Sequence, residues 1–530
     1  MRLNFTKFGY LLLIAIVIIT GLTSRVTMIF LKPFWVDEAW TLYLSQINSF
    51  KQLLTIAPVP GDIHPGIYYA LIKLTLYLTH NLYILRFTTS AFPQTLSIIL
   101  FVLWANKRKL SRLLIIITVI LLLWSPFLVY YSWQLRMYSL TMLLTVALGL
   151  LTYDYLVTKT GEKTLLLMVP LFVLSEATDV SGYMLMTSII LTVLITDYLK
   201  LKSVTKLYGY HRNWILLSLA GTCLAVLPYF PFKFSGQFFR ASWLNPPTII
   251  EAIRELPFTT LGLENALNPS VSSGFIDWII FPMLIMLSLM LFSFWVKRLR
   301  RPQYLLTFLM LVFFVPVLIF FFSQTSWLLY KLPGFHRLIP PISAYLPRFF
   351  LPQAVFLHFF MAYTVYKIIQ QKSHIGIYWF IPLTLIFLWI TNYVRISGVP
   401  ENEELTIKQA GSLTKNLSTG QTVFYPGYTA LMLQADQQIP FTVTAKVFSV
   451  SNQVEELIKK STPNTKLICR YLPPETASLF TLIETKKTPA FFGKYKSNLK
   501  AVTDALCLTK KTDGLFSYYS CRCPAPPEHQ

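Results

Sequence analysis

Charge is what this sequence has least of. Only 13% of its 530 residues are charged, about half the share of an ordinary soluble domain. Acids are the scarcer sign, with 23 Asp and Glu against 46 Lys and Arg, which leaves a formal charge of +23. Cysteine is rare as well: five in the whole chain exclude a disulfide-dense scaffold. No zinc-ligand spacing, phosphate-binding glycine loop or GxSxG turn is present, so nucleotide-driven chemistry is not indicated. No internal repeat is evident, which weighs against many transporter folds. What is abundant is apolar surface: 54% hydrophobic residues, 15% aromatic, and a mean hydropathy of +0.55. That excludes a soluble globular enzyme and a disordered chain. The basic excess then points to cytoplasmic loops of a membrane protein rather than to nucleic acid.

A spanning helix needs about 20 mostly apolar residues. The first such run covers 8–31, behind Arg2 and Lys7, and is longer than a cleavable leader's apolar core. Others lie near 87–105, 112–129, 137–157, 164–176, 180–199, 213–230, 274–296, 303–323, 349–369 and 375–393, about eleven spans in all. The stretch 64–79 is ambiguous, being short and carrying Lys73. If it lies at the interface, the clusters Lys107–Arg112 and Lys297–Arg301 both become cytoplasmic. The expected architecture is therefore mainly α and polytopic, with a cytoplasmic N-terminus and interfacial helices in the first external loop.

An odd number of spans puts the C-terminus outside. From 394 the composition turns polar, and 394–530 is long enough for a domain of its own. Strand-like runs at 422–426, 441–448 and 466–472 alternate with helix-like runs, 474–485 among them, so a small α/β domain is expected. Cys469, Cys507, Cys521 and Cys523 fall there. An external location permits a disulfide, but spacing does not name the partners.

The candidate chemistry gathers on the expected external face. Asp37 and Glu38 follow the aromatic turn Phe34-Trp35, and an amphipathic helix is expected over 39–54. Two carboxylates in partly desolvated surroundings suit a general base, although they also suit a polar lip on a span. His64-Pro65-Gly66 opens the interfacial stretch, where His64 is either a site residue or helix punctuation. Arg136, in Gln134-Leu135-Arg136-Met137-Tyr138, is an anion clamp, an interface anchor or half of a salt bridge. Tyr345 and Arg348 open the tenth span, where a snorkelling cation is the plainer alternative. Cations for a phosphate leaving group and a carboxylate for an attacking hydroxyl make an enzyme that uses an activated lipid phosphate.

In that order these residues resemble the GT-C glycosyltransferases of the family 39 and 83 group. This group includes protein O-mannosyltransferases, aminoarabinose transferases of lipid A, and transferases with the RgtA/B/C/D-like domain. The matching elements are Asp37-Glu38-Ala39, His64-Pro65-x-x-Tyr68-Tyr69, Arg86 before the second span, Gln134-x-Arg136-Met137-Tyr138-Ser139, Trp243-x-x-Pro246-Pro247 and Arg348-Phe349-x-Leu351-Pro352. Gly66 stands where the family's element has a second proline, and a looser turn is expected there.

The resemblance implies a transmembrane GT-C domain over 1–393 that moves a sugar from a polyprenyl-phosphate donor to a hydroxyl, with inversion. Asp37 is then the base and Glu38 its neighbour. Arg136 and Arg348 face the donor phosphate, and His64, Tyr68, Arg86, Gln134, Tyr138 and Tyr345 contribute to substrate binding. The acceptor is a glycan, lipid or protein, the setting a bacterial cytoplasmic membrane. Some relatives use a divalent metal; no ligand cluster beyond Asp37 and Glu38 indicates one. The rivals are a transporter of lipid-linked glycans, which would put ionisable residues deep in its spans, and a non-catalytic assembly subunit.

Overall fold

The computed structural model describes residues 6–32, 36–54, 64–158, 162–226 and 350–370, the strands of a C-terminal sheet, and a few single positions between 311 and 386. The chain divides into two compact units. One comprises 1–29 with 50–399, the other 30–49 with 400–530. The segment bearing Asp37 and Glu38 is thus grouped with the C-terminal part rather than with the spans.

In the first unit, α1 is Lys7–Leu31. Phe50–Leu54 forms α3 and Ile67–Leu78 forms α4. Leu82–Arg86 (α5), a π-turn over Phe87–Ala91 and Phe92–Lys107 (α6) make one continuous rod. There follow α7 (Arg112–Trp124), α8 (Pro126–Ser132), α9 (Tyr138–Thr158), α10 (Glu162–Thr178), α11 (Ser181–Leu201) and α12 (Val204–Val226). Leu351–Gln370 is α13.

Among the described residues, Lys7–Leu31, Leu82–Lys107, Tyr138–Val157 and Ser181–Leu199 are long and apolar enough to cross a membrane. The bent pair α7–α8 passes the same test when taken together, as a broken span or a re-entrant loop, and the chain is an integral membrane protein. On α1, Phe8, Leu11, Leu12, Ile16 and Ile19 are exposed, as lipid-facing residues are. Helices α10, α12 and α13 stand at three more expected span positions. The expected spans 274–296, 303–323 and 375–393 lie outside the described residues but for single positions. Helix α4, at 12 residues, reaches only about 18 Å and is too short to cross, as expected for 64–79.

Two details differ from the expectations. The run 112–129 is one apolar stretch but two helices, bent by 56°. Pro126 has no N–H to donate and forces Ser125 into an extended conformation (φ −58°, ψ 122°). Arg86 does not precede the second span but lies inside it, because Asn81 caps the rod: its side chain accepts from the Tyr83 and Ile84 N–H groups at 2.9 and 3.2 Å. The π-turn ends two residues before Pro93, where a regular ladder would lack a donor.

The rods alternate in direction. At one end Tyr10 donates to Asn106 Oδ1 at 3.1 Å, and Arg108 pairs with Asp154. Also at that end, Asp197 Oδ2 accepts from Tyr155 at 2.5 Å and lies 3.1 Å from His211 Nε2. At the other end Arg86 donates to the Ile29 carbonyl at 3.1 Å, and Thr222 to Glu176 at 3.1 Å. Between the two ends, Leu148, Leu165, Met168, Phe172, Leu185, Ile189 and Trp214 form a buried apolar core.

In the second unit, α2 is Val36–Ile47. It begins before the expected 39–54 helix and breaks at Asn48, whose side chain turns back to the Leu44 carbonyl (2.9 Å). Asp37 and Glu38 therefore occupy its first turn, where the helix dipole favours negative charge. The sheet contains β1 (Thr422–Phe424), β2 (Phe480–Thr485), β3 (Cys507–Asp513) and β4 (Phe516–Cys521), ordered β1-β2-β4-β3. Strand β1 runs parallel to β2, and the other pairs are antiparallel. β1 falls within the expected strand 422–426, whereas 441–448 and 466–472 lie outside the described residues. The helix expected over 474–485 is overturned in its second half, which is β2. Thr481, Ile483 and Thr485 are β-branched at alternate positions, and pairing on both sides selects the strand.

Candidate functional site

The end of the first unit opposite Lys7 holds a buried polar constellation. His64 stands just before α4 and is 3% exposed. Its Nδ1 is 3.1 Å from Asp179 Oδ1, in the turn between α10 and α11. Ser181 donates to the other carboxylate oxygen. Burial pushes the Asp179 carboxyl up. The hydrogen bond and charge of His64, the Ser181 hydroxyl and the charge of Arg136 together outweigh it and hold the group below the ordinary carboxylate range. An ionised Asp179 is acceptor-only, so Nδ1 carries the proton and donates, which fixes the ring's orientation.

Arg136 lies in the turn between α8 and α9 and is also 3% exposed. It is buried rather than exposed as a surface anchor would be, and its charge acts on Asp179 from within the fold. The same turn carries Gln134. Its carbonyl accepts from Ser90 of the π-turn. Its Oε1 is buried and has no partner among the described residues. The preceding π-turn residue, Thr89, accepts from the Tyr68 hydroxyl at 3.5 Å, which closes a circuit back to α4. Tyr138 is 1% exposed, with its ring 4.7 Å from that of Tyr131. The fold therefore brings His64, Tyr68, Gln134, Arg136 and Tyr138 to one end of the helices.

Arg86 sits at this end too, but with protein partners. Its guanidinium lies 5.3 Å from the Trp133 ring centroid and donates to Ile29. In the second unit, Asp37 is half-buried and Glu38 fully buried, and the Asp37 carbonyl accepts from Thr41 (2.8 Å). Tyr345 and Arg348 lie outside the described residues. Among the described residues no group of three or more His, Cys, Asp or Glu is arranged to hold a metal.

Two glycines shape the constellation. A Cβ on Gly66 would stand 2.3 Å from the Leu53 carbonyl oxygen of α3. The turn is therefore pressed against α3 rather than loosened, and only glycine fits. A Cβ on Gly182 would meet the Ser175 carbonyl at 2.4 Å, so glycine lets the α10–α11 turn close tightly around Asp179.

The sequence reading did not single out Asp179, Ser181 or Glu176. Nor did it single out Arg25, which is buried in α1 within a candidate span. Arg25 donates to the Gly21 and Leu123 carbonyls, both at 2.7 Å, and to Gln94 Oε1. It clasps α1 to α6 and α7, so its charge is satisfied by structure.

No family model matches the chain, and no curated protein matches it. Among solved structures it is similar to the apo oligosaccharyltransferase of Archaeoglobus fulgidus, at 11% identity and a TM-score of 0.45, over 95% of this chain and 73% of that one. A second similar structure is the oligosaccharyltransferase AglB of Archaeoglobus fulgidus in complex with an inhibitory peptide and a dolichol-phosphate. It is 12% identical with a TM-score of 0.41, over 97% of this chain and 74% of that one.

Proposed function

We propose that this chain is a membrane glycosyltransferase of the GT-C type, which transfers a sugar from a polyprenyl-phosphate donor to a hydroxyl acceptor. The observation that carries the reading is the buried His64–Asp179–Arg136 group, with Gln134 Oε1, which has no partner among the described residues, on the same turn as Arg136. A buried polar atom without a partner is costly, and a ligand hydroxyl or phosphate would relieve it. A guanidinium beside it suits a phosphate, which it grips in a bidentate manner.

In this mechanism Asp37 takes the proton of the acceptor hydroxyl. The acceptor oxygen bonds to the anomeric carbon from the face opposite the phosphate. The carbon–oxygen bond to phosphate breaks, the sugar inverts, and polyprenyl phosphate leaves with the electron pair. Arg136, together with Arg348, stabilises the charge that develops on the leaving phosphate. Glu38 positions Asp37 or the acceptor. His64, held by Asp179, and Tyr68, Gln134, Tyr138 and Tyr345 bind substrate, while Arg86 stiffens the turn below them. No step calls for a cofactor.

The site is on the extracytoplasmic face of a bacterial cytoplasmic membrane. In support, Lys107, Arg108, Lys109 and Arg112 gather at the opposite end of the helices, beside the N-terminal part of α1. The transporter alternative is disfavoured by Arg25, whose donors are engaged by the fold itself.

The test is binding of undecaprenyl phosphate to the protein in lipid nanodiscs. Arg136→Met is expected to weaken binding at least ~10-fold, the equivalent of about 1.4 kcal/mol for one lost charged contact. Unchanged binding by a folded variant removes this end of the molecule as the donor site.

A further inference from the structure

The hairpin that closes the C-terminal sheet brings two of the chain's five cysteines into register. Strand β3 opens with Cys507, and β4 ends with Cys521, so both lie at the end of the hairpin away from its turn. The register pairs Cys507 directly with Cys521. Residues paired across antiparallel strands share one face of the sheet, and their Cα atoms are about 4.5 or 5.5 Å apart. Both spacings fall within the span that a disulfide bridges, about 4.4–6.8 Å. The register shifts between Cys507 and Thr509, so the position of the cysteine pair is also where the ladder is irregular.

We propose that Cys507 and Cys521 form a disulfide. The sheet order gives it a purpose. Among the described strands β3 lies at the edge, paired with β4 alone, whereas β4 is paired on both sides. At the turn end the chain itself ties the hairpin; at the open end the ladder weakens at the irregularity. A covalent bond there fixes the register of the edge strand, where a slip would otherwise reverse its faces. The other edge protection is sequence charge, Lys510 and Lys511.

The reaction is thiol–disulfide exchange with a protein disulfide oxidant of the compartment. The thiolate of one cysteine attacks the oxidant's disulfide. The second thiolate then displaces the oxidant. The two cysteines lose two protons and two electrons, and the oxidant leaves as a dithiol. Such a bond persists only in an oxidising compartment, so the proposal places the hairpin outside the cytoplasm. It stands independently of the glycosyl-transfer reading.

The experiment uses the full-length protein made in a bacterial host with an oxidising periplasm. Membranes are quenched with N-ethylmaleimide, and the protein is digested with trypsin without reduction. Cleavage after Lys500, Lys510, Lys511 and Arg522 puts Cys507, Cys521 and Cys523 in three separate peptides. The expected result is peptide 501–510 joined to peptide 512–522, both released at their own masses by reductant. Recovery of both as maleimide adducts before reduction overturns the proposal. So does a crosslink from Cys521 to the peptide of Cys523 or Cys469.

Discussion

Replacing Asp179 with Asn keeps the shape of the side chain but removes its charge. In the wild type one carboxylate oxygen meets His64 Nδ1 at 3.1 Å and the other accepts from Ser181, with the charge of Arg136 adding to both. Hydrogen bonds to charged groups contribute about 1.5–3 kcal/mol each, and Asn retains one acceptor. The expected loss is therefore about 2 kcal/mol at neutral pH, and Asp179→Ala should lose about 3–5 kcal/mol by stranding its buried partners. The sign with pH follows from the carboxyl's direction. Because folding depresses it, its stabilisation is fully present above the unfolded value of about 3.9 and fades as pH falls from there through the folded value. Tryptophan-fluorescence melts of the wild type and Asp179→Asn in nanodiscs, from pH 7 down to 3.5, provide the assay. The gap should be constant down to about pH 5 and narrow below about 4. A gap under about 0.5 kcal/mol at pH 7, or one that widens in acid, refutes the claim that Asp179 is an ionised partner of His64.

Three other outcomes are expected. Gly66→Ala, which would put a Cβ 2.3 Å from the Leu53 carbonyl, should cost about 1–3 kcal/mol and lower donor binding by moving His64, read by melts and undecaprenyl phosphate titration. Arg25→Met should lower thermal stability by about 3 kcal/mol, because it strips Gln94 Oε1 and the Leu123 carbonyl of a charged donor; the donor KM of the remaining folded protein should be unchanged. Asp197→Asn, at the opposite end from the constellation, should destabilise by about 2 kcal/mol through Tyr155 and His211 and leave transfer per folded molecule intact.

The spans that the structure describes are readable in the sequence because a run of apolar residues is a bulk property that tolerates exceptions. The same tolerance hid Arg25: one cation barely changes the hydropathy of the 25 residues of α1. It also hid the break at Ser125, where apolar residues continue on both sides of Pro126. His64 and Arg136 are named from their pattern, and Tyr68, Gln134 and Tyr138 through the family resemblance; the fold brings all five to one end of the helices. Asp179 was missed because a lone acid between two spans looks like an ordinary loop residue; its meaning comes from a contact with a residue 115 positions away. Gly66 was read as a gap in a proline motif, although the carbonyl of Leu53 is the reason for it. The stretch 480–485 was read as helix because short apolar runs fit both periods, and only pairing with β1 and β4 decides.

The central claim is sugar transfer with Asp37 as the base. Its most direct measurement is release of polyprenyl phosphate, followed by mass spectrometry, from a panel of polyprenyl-phosphate sugars. The protein is held in nanodiscs with an envelope extract as acceptor, wild type beside Asp37→Asn. The account predicts release by the wild type from one class of donor and at least ~100-fold slower release by Asp37→Asn. Equal release by both proteins contradicts Asp37 as the base, and release by neither from any donor contradicts the transferase itself.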